Sequence, residues 1–129
     1  MPARIEKHVA LVYHDELLAE HGGAPGMRDE GLLESALARP KNIAAYGKGK
    51  PTLFRFAAAY AAGLLRNHPF IDGNKRTALV VAIAFLELNG VSVTADQEET
   101  YRTTYDLAAG RITEKDLEAW LTRNSVAAE

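Results

Sequence analysis

A chain of 129 residues with 47% apolar side chains can bury one modest core, and no linker or repeat divides it, so a single domain over residues 1–129 is expected. It has no cysteine, which excludes disulfides and thiolate metal sites and makes a reducing, cytoplasmic setting the simplest one. A net charge of −2 excludes a nucleic-acid binder that relies on overall basicity. No apolar run approaches the ~20 residues of a membrane span and no signal-peptide core follows Met1, so neither nucleic acid nor membrane is an expected partner.

From about Arg4 to Glu20, Ile5, Val9, Val12 and Leu17 recur on one helical face, and Gly22-Gly23 closes the helix. "GGAPGMRD" follows as a glycine-rich turn, with Asp29 placed to cap "EGLLESALAR" ahead of Pro40. The stretch Asn42 to Lys50 reads as an irregular loop. Thr52 caps a third helix, "LFRFAAAYAAGLLRN", and His68-Pro69 stops it, because a residue preceding proline is driven out of the α region.

A fourth helix covers about residues 74–89. Between Thr77 and Asn89 only those two and Glu87 are polar, so this helix is expected at the buried centre of a bundle. "VSV" at 91–93 is a short extended piece. Asp96 opens "QEETYRTTYDLAAG" and Gly110 ends it, and Thr113 with Asp116 forms a relaxed capping box before "LEAWLTR". Long parallel-sheet runs are absent. The fold class is therefore all-α.

Of fifteen cations and seventeen carboxylates, eight cations and only one carboxylate, Asp72, fall between Arg39 and Arg76. Such an excess suits an anionic ligand or an acidic partner segment, and equally a solvated face. "HPFIDGNKR", residues 68–76, holds the densest chemistry. Gly73, Asn74 and Lys75 lie where loop becomes helix, so free N–H groups and the positive end of the helix dipole meet there. Gly73 lets a ligand approach the backbone, and Lys75 and Arg76 add charge.

A carboxylate beside such an anion hole repels phosphate unless Mg²⁺ bridges them, and Mg²⁺ takes one or two carboxylates plus substrate phosphates. Asp72 fits that role. His68 can accept a proton near neutral pH, as transfer to a hydroxyl requires. Plainer readings stand beside these: His68 as a cap or surface residue, Asp72 or Asn74 as helix caps, Phe70 and Ile71 as loop anchors. No Walker-type phosphate loop occurs. His8, His14 and His21 lack the three- or four-residue spacing of a metal pair and read as helix surface. Tyr101 and Tyr105, four apart, are expected to pack together on one helix face.

The nine-residue stretch closely resembles the Fic/Doc signature, His-Pro-Phe-x-Asp/Glu-Gly-Asn-Gly/Lys-Arg. The resemblance extends outward through "HDELLAEHGGAPGMRDEGLLESALARP" and "FLELNG", most of residues 14 to 90, and is nearest the death-on-curing (Doc) toxins. It implies the Fic fold, with His68 as general base, Asp72 as the Mg²⁺ ligand, and Gly73, Asn74, Lys75 and Arg76 as the phosphate-binding set. ATP and Mg²⁺ are the implied cofactors. The Doc branch implies a toxin of a toxin–antitoxin module, a protein kinase that phosphorylates elongation factor Tu and is neutralised by a cognate antitoxin.

Most Fic proteins instead transfer AMP, and those have glycine where this chain has Lys75 and a second arginine where it has Leu79. Both departures point to Doc, whereas Gly73 follows the broader Fic pattern. "TADQEE" from Thr94 matches only the first part of the inhibitory Fic helix, so a separate antitoxin is the expected control. Three readings remain: a Doc-type kinase, a Fic-type adenylyltransferase, and a silent nucleotide- or antitoxin-binding module that intact His68 and Asp72 disfavour.

Overall fold

The computed structural model describes residues 1–128, and six helices form among them: α1 (Lys7–His21), α2 (Glu30–Tyr46), α3 (Leu53–Asn67), α4 (Asn74–Leu88), α5 (Gln97–Ala108) and α6 (Glu114–Arg123). Four begin where a side-chain oxygen accepts a free N–H: Asp29 from Leu32 at 3.0 Å, Thr52 from Arg55 at 3.2 Å, Asp96 from Glu99 at 2.7 Å and Thr113 from Asp116 at 3.1 Å. At α6 the Asp116 carboxylate accepts the Thr113 N–H in return, which completes the capping box.

The all-α class holds, with one small addition. β1 (Val91–Val93) pairs antiparallel with β2 (Ser125–Ala127), Val91 opposite Ala127 and Val93 opposite Ser125. β1 falls on the short extended piece expected at 91–93, whereas β2 goes unread, because three residues carry too little alternation to mark a strand. The pairing fastens the segment after α6 to the turn after α4.

Two expected helix boundaries change. Residues 42–46 continue α2 through Pro40 instead of forming a loop. An internal proline removes the N–H that would bond the Ala36 carbonyl, a cost of ~3 kcal/mol or more. Here Pro40 is buried, and beyond it Ile43 packs against the core, so tertiary contact keeps the helix going. Helix α1 starts at Lys7, later than Arg4, because Ile5 is buried while still extended, its N–H donating to the Tyr60 hydroxyl at 3.1 Å.

The centre is shared by α3 and α4 instead of belonging to α4 alone. Every residue from Phe56 to Leu64 is buried, whereas α4 exposes Glu87 and Leu88 and leaves Lys75 and Arg76 half-buried. Small side chains explain this close fit: a Cβ on Gly63 would lie 3.1 Å from the Arg39 stem and 3.3 Å from the Ala36 backbone of α2. Across the α3–α4 interface, Phe85 meets Phe56 edge-on at 6.2 Å and Tyr60 at 5.2 Å between ring centroids. This rigid pair presents the α3–α4 loop at one end of the bundle. No helix among the described residues is long and apolar enough to cross a membrane.

Candidate active site

His68 closes α3 in the left-handed conformation, φ 50° and ψ 56°, the only non-glycine residue with positive φ among those described. That conformation costs a non-glycine residue about 1–3 kcal/mol and persists only where its surroundings impose it. They do so here. The His68 N–H reaches Leu64 O at 3.0 Å, and Arg28 donates from Nε to His68 O at 2.8 Å and from Nη2 to Asn67 O at 2.7 Å. The N–H groups of Arg28 and Asp29 both go to Pro69 O, at 2.7 and 3.0 Å, and Ile71 N–H goes to Gly26 O at 3.2 Å. The glycine-rich turn therefore lies antiparallel along the loop that carries the histidine.

Asn74 is buried, and its amide closes a ring with Phe70: Oδ1 accepts from Phe70 N at 3.0 Å, and Nδ2 donates to Phe70 O at 2.9 Å. Its side chain is spent on the loop, and what remains for an anion is its main-chain N–H. Thr77 N–H is the first in α4 to close a helical bond, onto Gly73 O, which leaves the N–H groups of Asn74, Lys75 and Arg76 at the helix mouth. Gly73 caps α4 at φ 82°, a conformation that favours glycine.

Asp72 is exposed and accepts from Gly73 N–H at 2.8 Å and Ala24 N–H at 3.3 Å. Gly23 is required by this approach, since a Cβ there would lie 2.9 Å from the Asp72 carboxylate. One cavity of about 170 Å³ is lined by His68, Asp72, Gly73, Asn74, Lys75 and Arg76, every residue singled out from the sequence, together with Tyr101 and Tyr105 of α5. The tyrosines pack edge-on as expected, 4.8 Å between centroids. Less expected is what rests on them: Lys75 Nζ lies 5.0 Å from the Tyr105 centroid and Arg76 Cζ 5.3 Å from that of Tyr101. Burial and a hydrogen bond with Tyr105 push the Tyr101 phenol up, partly opposed by the Arg76 charge.

Residues 5–86 match the Fic/DOC family. The chain belongs to that family. Two relatives illustrate it. Toxin Doc of Mycolicibacterium smegmatis (strain ATCC 700084 / mc(2)155) is 47% identical over 75 residues, 58% of this chain and 58% of that protein. Protein kinase doc of Escherichia phage P1 is 40% identical over 107 residues, 83% of this chain and 82% of that protein.

Within this Fic/DOC domain the donor set fits a cation that arrives with the substrate. Among the described residues no three His, Cys, Asp or Glu side chains gather to hold a metal, and the carboxylate that lines the His68 cavity is Asp72. One carboxylate beside free helix N–H groups suits Mg²⁺ carried by phosphates.

Sequence reasoning missed three things. His14, read as helix surface, is buried and acts on the loop from α1, while His8 and His21 are exposed as expected. Arg28 gave no signal, because a single arginine in a turn has no pattern to mark it. The cation excess between Arg39 and Arg76 does not form one face: Arg39 and Arg55 both pair with Glu114 of α6, Lys48 and Lys50 line a different cavity with Arg55, and only Lys75 and Arg76 reach the His68 cavity. Glu98, in the partial inhibitory match, pairs with Arg102 at 3.0 Å and makes no ion pair with Arg76.

Proposed function

We propose that this chain is a Doc-type toxin, a protein kinase that transfers the γ-phosphoryl group of ATP to a hydroxyl of a translation factor, elongation factor Tu by resemblance, and is held in check by a cognate antitoxin. The observation that carries this reading is one cavity shared by a histidine, a carboxylate and the N-terminus of a helix bearing two cations. His68 receives the hydroxyl proton as the new O–P bond forms, the bond from Pγ to the β-phosphate oxygen breaks, and ADP leaves. The free N–H groups of Asn74, Lys75 and Arg76 hold phosphate oxygens, and Arg76 adds a planar fork. Asp72 is the ligand for Mg²⁺, which screens phosphate charge when bound with the nucleotide. The 40% identity to a protein named as a kinase supports γ-transfer over AMP transfer, as does Leu79 in place of a second arginine.

One observation favours the second reading, AMP transfer. Lys75 rests against Tyr105, at the cavity wall, so its presence alone does not block the α-phosphate pose. Incubation with cell extract and ATP labelled at the α- or the γ-phosphate separates the two. Label from the γ position alone supports the kinase. Label from the α position assigns AMP transfer, and Lys75→Gly should then not abolish it.

A further inference from the structure

We propose that Arg28 is a positioning residue that holds the catalytic histidine in its left-handed conformation by capping the end of α3 from outside the helix. The inference rests on the reading of His68 as general base. A helix that ends in a left-handed residue normally has its last carbonyls satisfied by the next two N–H groups of the chain. Here the first is used, from His68 to Leu64 O, but the second does not exist, because Pro69 has no N–H. Asn67 O and His68 O lie beyond the carbonyls that such a cap satisfies, and no main-chain N–H bonds to either of them at the position where the loop must be fixed.

The Arg28 guanidinium fills that gap with two donors in one plane, at 2.7 Å to Asn67 O and 2.8 Å to His68 O. Pro69 O accepts from the main-chain N–H groups of Arg28 and Asp29, so three successive carbonyls, 67 to 69, are held by two residues of the turn. Arg28 makes no ion pair among the described residues, and both hydrogen bonds of its side chain go to these carbonyls. An arginine present only for solubility would not be committed in this way. Fixing the carbonyl of residue 68 fixes the peptide plane that follows it, hence the ψ of His68 and the direction of its imidazole. The N–H groups offered to phosphate lie at the start of α4, and none of them takes part in the two Arg28 bonds.

That separation gives the test. Arg28→Met keeps the aliphatic stem and removes both donors, whereas Arg28→Lys keeps the charge and loses the fork. Transfer of label from ATP by the Met variant should fall about 10- to 100-fold in kcat, the scale of a small misplacement of a catalytic group, with KM for ATP little changed. The Lys variant should recover only part of the loss. Hydrogen exchange supplies a readout independent of activity: the Phe70 and Ile71 amides should exchange faster in the folded Met variant while core amides of α3 and α4 keep their protection. Unchanged kcat in a folded Met variant, a loss confined to KM, full recovery by lysine, or unchanged loop exchange would each overturn the proposal. A wild-type protein that transfers no label would overturn the proposed function instead, and the exchange measurement would still decide the role of Arg28.

Discussion

The His14 imidazole stacks on the Phe70 ring, 3.7 Å between centroids and 9° from parallel, while its Nε2 donates to the Asp72 carbonyl at 2.8 Å. A carbonyl only accepts, so the proton sits on Nε2. One buried side chain of α1 thus ties the apolar anchor of the loop to the peptide that carries the carboxylate. His14→Phe keeps a flat ring over Phe70 and deletes the donor. It should raise the Mg²⁺ concentration for half-maximal label transfer about 10-fold, as losses around a metal ligand do. His14→Ala removes the stack as well and should cost about 2–4 kcal/mol in denaturant unfolding. A Phe variant with wild-type Mg²⁺ dependence would show that the hydrogen bond is only structural.

Stability and activity should part company at His68. Glycine adopts positive φ freely, so His68→Gly relieves the strain of the left-handed histidine, worth about 1–2 kcal/mol before the added backbone entropy of glycine is counted. The variant should lose transfer and toxicity yet melt at or above the wild-type temperature. A large drop in melting temperature would mean that the imidazole itself holds the loop.

Much of this architecture is legible in the sequence because it is locally determined. Asp29, Thr52, Asp96 and Thr113 each cap a helix with bonds that span only a few residues, and the motif from His68 to Arg76 is a contiguous loop and helix start, so its groups are neighbours in the chain before any distant segment orients them. What stayed hidden depends on partners far along the chain. His14 meets Asp72 across 58 residues, Arg28 meets His68 across 40, and Glu114 meets Arg39 across 75. Pro40 shows the same limit from the other side: its local preference to end a helix is overridden by its own burial and by Ile43 packing against the core beyond it.

Glu114 accepts from Arg39 Nη1 at 2.9 Å and from Arg55 Nη1 at 2.7 Å, joining α6 to both α2 and α3. Glu114→Gln leaves two guanidiniums facing one neutral amide. The expected loss is about 1–3 kcal/mol, below that of a fully buried pair because both arginines keep substantial solvent exposure. Raising the salt concentration should narrow the gap between wild type and variant, since screening weakens only the charged form. A gap that ignores salt would make the contact a matter of packing.

The α6 capping box should make a small acid-sensitive contribution. The Thr113 main-chain N–H, then its hydroxyl, holds the Asp116 carboxyl below its ordinary 3.8. A group with a depressed folded value adds stability above the unfolded value, and that stability is lost as pH falls through the folded one. Asp116→Asn does not titrate. The difference between the two proteins in thermal melts should therefore be constant near neutrality and close as pH falls through and below 3.8. A constant difference down to the acid limit would remove the carboxylate from the account.

Tyr60 carries the opposite sign. Its ring is fully buried between α3 and α4 and its hydroxyl accepts the Ile5 N–H at 3.1 Å, which fixes the chain ahead of α1. Burial pushes its phenol above the ordinary value of 10.0, partly opposed by the Ile5 hydrogen bond. The folded state thus prefers the neutral phenol, so this contribution is complete below pH 10.0 and is lost as pH rises through the folded value. Tyr60→Phe keeps the ring packing but strands the Ile5 N–H, at a cost of about 1–3 kcal/mol near neutral pH. It also abolishes the titration, so wild type and variant should converge in stability on the alkaline side. Because Ile5 alone loses its anchor, hydrogen exchange should quicken at that amide before any amide of α3. Equal exchange at Ile5 in both proteins would show that the N-terminal segment is held by packing and not by the tyrosine hydroxyl.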